Sequence, residues 1–165
     1  MKLILPRPGM EEAFKRMAED YRVEEEWHYY YKYEEGLQNM ENYLERLGEI
    51  SRGIDLPEGD VATTTYWLVD EDETEIRGNI RIRHRAVPIH GNIGYDVPPS
   101  MRMRGYGREI LKLGIAKARE MGIEDLRVTC GENNEASRRV IQGNGGRFLR
   151  SEEDHGENFL EYIIE

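Results

Sequence analysis

Between Val97 and Arg108 the chain reads Val-Pro-Pro-Ser-Met-Arg-Met-Arg-Gly-Tyr-Gly-Arg, with Gly105 and Gly107 placed where a strand gives way to a helix. Glycines at such a junction let backbone amides approach a ligand closely, and the helix start adds partial positive charge. A pyrophosphate is the group such a loop can hold, and Arg102, Arg104 and Arg108 add cations beside it. A dinucleotide-binding loop would carry a third glycine where Ile110 stands, and a nucleotide P-loop would need Lys followed by Ser or Thr. Neither pattern is present.

A second set of polar residues lies downstream, in Asn133-Asn134-Glu135-Ala136-Ser137, after the strand-like Leu126, Val128 and Cys130. Asn134 suits a helix cap as well as a ligand contact. Three candidates exist for proton transfer or nucleophilic chemistry. His84 has an intrinsic proton affinity near neutrality, yet it shares parity with Ile80 and Ile82 and also suits a hydrogen-bonded core position. Cys130, the single cysteine, lies at apolar parity and reads as a buried structural thiol. Glu24, Glu25 and Glu26 could attract or deprotonate an amine, or form a solvated face.

The elements that position these residues follow from periodicity. Lys2 to Leu5 reads as a short strand, and Pro8 is placed to open a helix carrying Met10, Ala13, Phe14 and Met17. Leu37, Met40, Leu44 and Leu47 recur at helical spacing, and the stretch Tyr29 to Tyr33 between the two reads as packing aromatics. From Thr63 to Val69 the residues are β-formers. In the next run Ile76, Gly78, Ile80, Ile82 and His84 share one parity, while Arg77, Asn79, Arg81, Arg83 and Arg85 share the other, predicting one apolar and one basic face. Ile93, Tyr95 and Val97 alternate in a strand ended by Pro98 and Pro99. Leu111, Ile115 and Ala118 mark a helix from Arg104 to Gly122. A further helix is expected from about Asn134 to Gln142, and closing strands at Phe148-Leu149 and Phe159 to Ile164.

Arg102-x-x-Gly105-x-Gly107 after a strand ending at Val97 resembles the coenzyme A motif of the GNAT superfamily of N-acetyltransferases. Val128-Thr129-Cys130, Asn133 to Ser137 and Gly145-Gly146-Arg147-Phe148 are similar to the second half of that fold. Thr64 to Val69, Ile82-Arg83-His84 and the Asn-x-Ala-Ser run resemble a group of bacterial predicted acetyltransferases of unassigned substrate. The resemblance implies an α/β (α+β) fold with a mixed, mostly antiparallel, splayed sheet flanked by helices. It implies one domain over residues 1–165, in which residues 1–60 shape the acceptor site and residues 61–165 bind acetyl-CoA. The backbone near Val97 would hold pantetheine and the thioester carbonyl, amides from Met103 through Tyr106 to Gly107 the pyrophosphate, and Asn134 and Ser137 the pantetheine or leaving thiol. Ile141 stands where many relatives carry a tyrosine that protonates the thiolate, which leaves Ser137, Tyr106, water or an unprotonated departure, with His84 as a candidate base.

Composition sets the outer bounds. At 165 residues the chain has the size of one domain, and its opening apolar run is too short for a secretory signal or membrane span. A cytoplasmic protein is expected. One cysteine excludes a cysteine-rich metal site, and no metal is expected. Asp and Glu number 33 against 23 Lys and Arg, so the net charge of −10 disfavours nucleic acid and favours cationic ligands. The expected partners are acetyl-CoA and an amine acceptor, either a small molecule or a protein amine, and exposed strand edges would permit a homodimer. Two other readings compete: a catalytically silent acyl-CoA-binding module, and an interaction protein that uses the basic strand face.

Overall fold

The computed structural model describes residues 1–165. The chain runs β1 (Lys2–Ile4), α1 (Glu11–Val23), α2 (Trp27–Gln38), α3 (Met40–Arg52), β2 (Thr63–Val69), β3 (Ile76–Val87), β4 (Gly91–Asp96), α4 (Tyr106–Glu120), β5 (Leu126–Gly131), α5 (Glu135–Gly143), β6 (Arg147–Asp154) and β7 (Glu157–Ile164). The strands form one sheet in the order β1-β2-β3-β4-β5-β7-β6, antiparallel except where β4 meets β5. Its mixed, splayed character matches the expectation from the sequence.

Each face of the sheet buries its own apolar layer. On one face Leu68, Ile80, Ile82, Ile93 and Val128 pack with Ile110, Leu111 and Ala118 of α4 and with Ile141 of α5. Gly114 lets α4 lie close to the sheet, since a Cβ there would stand 2.2 Å from Cδ1 of Ile80. On the other face α1, α2 and α3 supply Phe14, Met17, Tyr21, Tyr33 and Tyr43 against Trp67, Val69 and Ile76. The aromatic stretch is therefore a helix in its own right, with Tyr33 buried and Tyr29 stacked on Tyr21.

Three local expectations are corrected. The first helix begins at Glu11, and Pro8 lies in the preceding turn. β4 ends at Asp96, which leaves Val97 just outside it. The simple parity of β3 also breaks, because Leu68 pairs with Gly78 and Val69 with Ile76, so a bulge leaves Arg77 without an opposite residue. Ile76 consequently packs with the α1–α3 layer, while the Arg77 guanidinium lies over the Tyr106 ring, 5.5 Å from its centroid. Of the remaining basic face of β3, Arg81 lies beneath the N-terminal helices, paired with Asp96, while Arg83 lines a cleft beside them and Arg85 is exposed.

β4 and β5 share a single rung, Ile93 with Val128, although β5 pairs with β7 along its whole length. Their near ends are held tightly together. A Cβ on Gly91 would lie 2.4 Å from the Arg127 carbonyl oxygen, and buried Asn92 accepts from the Arg127 amide at 2.9 Å while donating to the Arg83 carbonyl at 3.2 Å. Pinned at one end and unpaired past Ile93, the strands part toward Val97 and Gly131.

Candidate acetyl-transfer site

One wall of the gap is the turn leading into α4. Met103 and Gly105 have positive φ angles of 59° and 85°, and alternation of this kind points successive amides into one concavity. The amides of Met103, Arg104, Gly105, Tyr106, Gly107 and Arg108 have no hydrogen-bond partner within the protein, the first bond of the helix being Glu109 to the Gly105 carbonyl at 3.1 Å. Nothing lies within 4 Å of where a Gly105 Cβ would be. Arg104 and Arg108 are exposed beside these amides and form no ion pair. Unsatisfied, solvent-open donors at a helix start, flanked by free guanidiniums, fit a pyrophosphate.

Arg102 is committed elsewhere. Its guanidinium makes a bidentate pair with Glu26 at 2.6 and 2.7 Å, and its Nε donates to the Val97 carbonyl at 3.0 Å. It therefore ties the turn between α1 and α2 to the end of β4 instead of facing the row of amides, and Glu26 is spent in the same contact. Asp20 adds a second tie, accepting from both the Ser100 amide at 2.9 Å and its hydroxyl at 2.8 Å.

The opposite wall is the start of α5. Asn134 caps this helix, its side-chain oxygen accepting from the Ser137 amide at 3.0 Å. The Ser137 hydroxyl lies 2.9 Å from the phenol oxygen of Tyr95, on the strand across the gap. Burial pushes the Tyr95 phenol up to about 12, with the hydrogen bond to Ser137 acting the other way. In the sequence Tyr95 shows only the alternation of a strand residue. A tyrosine hydroxyl thus reaches the gap from β4, while Ile141 is fully buried in the core. Tyr106 is held in the Arg77 contact, and Cys130 is buried, its thiol pushed up by burial with Arg138 opposing.

His84 is not brought to the gap. Asp96, at the open end of the gap, pairs with Asn79, and His84 lies five residues further along β3 toward the pinned end at Gly91, roughly 17 Å away at the usual strand rise. Its Nε2 is 2.8 Å from the Thr64 hydroxyl, which in turn is 2.8 Å from Ser51, so it closes a polar chain at the edge of β2.

On the α1–α3 face, sequence patterns gave no sign of a buried charge network centred on Asp96. This carboxylate accepts from Tyr21 at 2.7 Å, Tyr33 at 2.5 Å and Arg81 at 2.8 Å, and is almost wholly buried. Beside it opens a cleft of about 510 Å³ bounded by α3, the loop before β2, and β3. No group of three or more His, Cys, Asp or Glu side chains is placed to hold a metal ion.

The family pattern described as acetyltransferase (GNAT) domain matches residues 2–147. The chain belongs to the GNAT acetyltransferase family. Solved GNAT-type structures share its fold. A ribosomal-protein-S5-alanine acetyltransferase from Vibrio fischeri aligns over 98% of this chain and 91% of its own at 14% identity, with a TM-score of 0.72. A ribosomal L7/L12 α-N-protein acetyltransferase, solved in complex with coenzyme A, aligns over 98% and 92% at 16% identity, with a TM-score of 0.68. An acetyltransferase of the GNAT family from Bacillus anthracis is 23% identical, and the match covers 61% of this chain and 64% of that one, with a TM-score of 0.53. No curated protein matches the chain. Within the GNAT family the donor is acetyl-CoA, and the free amides from Met103 to Arg108 are of the kind its pyrophosphate needs. No helix is long and apolar enough to cross a membrane.

Proposed function

We propose that this GNAT acetyltransferase moves an acetyl group from acetyl-CoA directly to a primary amine while both are bound. The observation that supports this most strongly is the gap between β4 and β5, with unpaired amides on the α4 side and the Asp96 network and cleft on the α1–α3 side. In this reading the amides of Met103 to Arg108, with Arg104 and Arg108, anchor the pyrophosphate. The β4 backbone past Ile93, which has no strand partner on its β5 side, holds the pantetheine and the thioester carbonyl near Val97. Bound acetyl-CoA supplies the thioester, whose C–S bond breaks as the amine nitrogen forms the new C–N bond.

Backbone donors on a rigid strand stabilise the oxyanion, and holding two reactants together removes much of the barrier without a side-chain nucleophile. The Tyr95 hydroxyl, protonated throughout the physiological range and oriented by Ser137, delivers a proton to the departing thiolate and is reprotonated through solvent by the proton that the acetylated nitrogen sheds. Residues 1–60 shape the acceptor side, with Glu26 and Asp20 linking them to the donor loop.

Initial rates of thiol release, measured while varying acetyl-CoA at several amine concentrations, test direct transfer. Intersecting double-reciprocal lines are expected, with activity kept in Cys130→Ala. Parallel lines and an inactive but folded Cys130→Ala protein would replace direct transfer with an acetyl-cysteine intermediate.

A further inference from the structure

We propose that the acceptor amine also carries an acidic group, a carboxylate or a phosphate, and that Arg83 binds this group in the cleft on the α1–α3 face. The inference rests on reading the β4–β5 gap as the site of acetyl transfer.

The cleft is adjacent to the chemistry. A Cβ on Gly94 would meet Nε of Arg81 and a terminal nitrogen of Arg83, each at 3.8 Å, so both guanidiniums lie over β4 where it separates from β5. Three arginines line the cleft, Arg46, Arg81 and Arg83, against the single carboxylate of Asp60. Two of them are already engaged. Arg81 is paired with Asp96, and Arg46 with Glu49 at 3.1 Å and with the carbonyls of Ile54 and Asp55. Arg83, half-buried, has no carboxylate partner and donates only to the His90 carbonyl at 3.2 Å.

Neighbouring groups register the resulting positive potential. Burial and then Arg81 lower the Arg83 guanidinium, with Asp60 opposing, and burial and then Arg83 lower the His90 imidazole. Lys32 of α2 is lowered by burial and then by Arg81, with Asp96 opposing and Arg83 adding a smaller push in the same direction as Arg81. Placing like charges side by side and partly out of water is costly, and an anion between them relieves the cost. The Thr65 hydroxyl, opposite Arg81 in the sheet, lines the same cleft with no side-chain or backbone partner and offers a neutral donor there. All this occurs on a protein of net charge −10, whose overall field works against anions. The local cleft chemistry therefore reverses the cationic preference that composition suggests.

A planar guanidinium accepts carboxylate or phosphate in a bidentate manner, so both belong to the class. The test is calorimetric titration of the protein, alone and saturated with coenzyme A. One arm uses aspartate and glutamate, a second phosphoserine and O-phosphoethanolamine, and a third the acid-free amines ethanolamine, β-alaninamide and putrescine. The expected result is binding of at least one acid-bearing set about tenfold or more tighter than the third arm. Arg83→Gln should weaken it about 10- to 100-fold, as loss of a charge-assisted contact would, with coenzyme A binding unchanged. The carboxylate and phosphate arms identify which acid is preferred. Equal or tighter binding in the third arm, no binding in any arm, or undiminished acid binding by Arg83→Gln would each overturn the inference. Failure of coenzyme A to bind would instead overturn the acetyl-transfer reading, and the titrations of the protein alone would still decide the cleft.

Discussion

The Tyr95 phenol and the Ser137 hydroxyl meet at 2.9 Å, one from β4 and the other from the first turn of α5, and so bridge the two elements that border the open gap. This contact puts the Tyr95 hydroxyl, the proposed proton donor, at a place to which Ile141, one turn further along α5 and buried beneath it, brings no polar group. Tyr95→Phe keeps the ring and removes the proton. Its kcat should fall by about 10- to 100-fold with the KM for acetyl-CoA little changed. His84→Ala, altered toward the far end of β3, should leave kcat within about twofold. Steady-state kinetics on both variants separate the two assignments, and an inactive His84→Ala protein with an active Tyr95→Phe protein would reverse them.

Alkaline stability follows from the buried phenols. Burial, reinforced by Asp96, holds Tyr21 and Tyr33 well above the ordinary tyrosine range, and burial raises Tyr43 as well. Each keeps its proton in the folded protein to a higher pH than in the unfolded chain, where tyrosine ionises at about pH 10. The stability they contribute is complete below that pH and is lost as pH rises beyond it. Thermal denaturation from pH 7 to 11 should show Tm falling steeply only above about pH 10. An unchanged Tm there would contradict the network.

Asp96→Ala leaves the Arg81 guanidinium without its carboxylate and removes the acceptor of two buried phenols. Breaking a buried pair from one side costs about 3 to 5 kcal/mol. Urea unfolding should register a loss of this size. A loss under about 1 kcal/mol would mean that solvent reaches Arg81 freely.

The turn proposed as the donor half of the site was legible because it is local. Arg102 to Gly107, the strand before it and the helix after it lie within a few turns of sequence, and turn chemistry and periodicity act at that range. Asn134 as a cap was legible for the same reason. The acceptor half depends on contacts between residues far apart in the chain. Tyr21 and Tyr33 reach Asp96 across 75 and 63 positions, and Arg102 reaches Glu26 across 76, so neither spacing nor parity shows them. The bulge opposite Leu68 and Val69 shifted Arg77 and Ile76 onto faces that strict alternation does not allow. Tyr95 was hidden by its own regularity, because alternation with Ile93 makes a tyrosine read as packing until α5 is seen to bring Ser137 to its hydroxyl.

Direct transfer, a proton from Tyr95 and an acidic acceptor all depend on donor binding at the amides before α4. Calorimetric titration with acetyl-CoA, comparing the natural protein with Gly105→Glu, tests that most directly. Gly105 has a φ of 85° and open space beside it, so glutamate there adds strain and places a carboxylate among the unpaired amides. The expected result is one-to-one binding by the natural protein and affinity lower by about 100-fold or more in the variant, with circular dichroism unchanged. Equal affinity in the two proteins, or no binding by the natural one, would contradict the account.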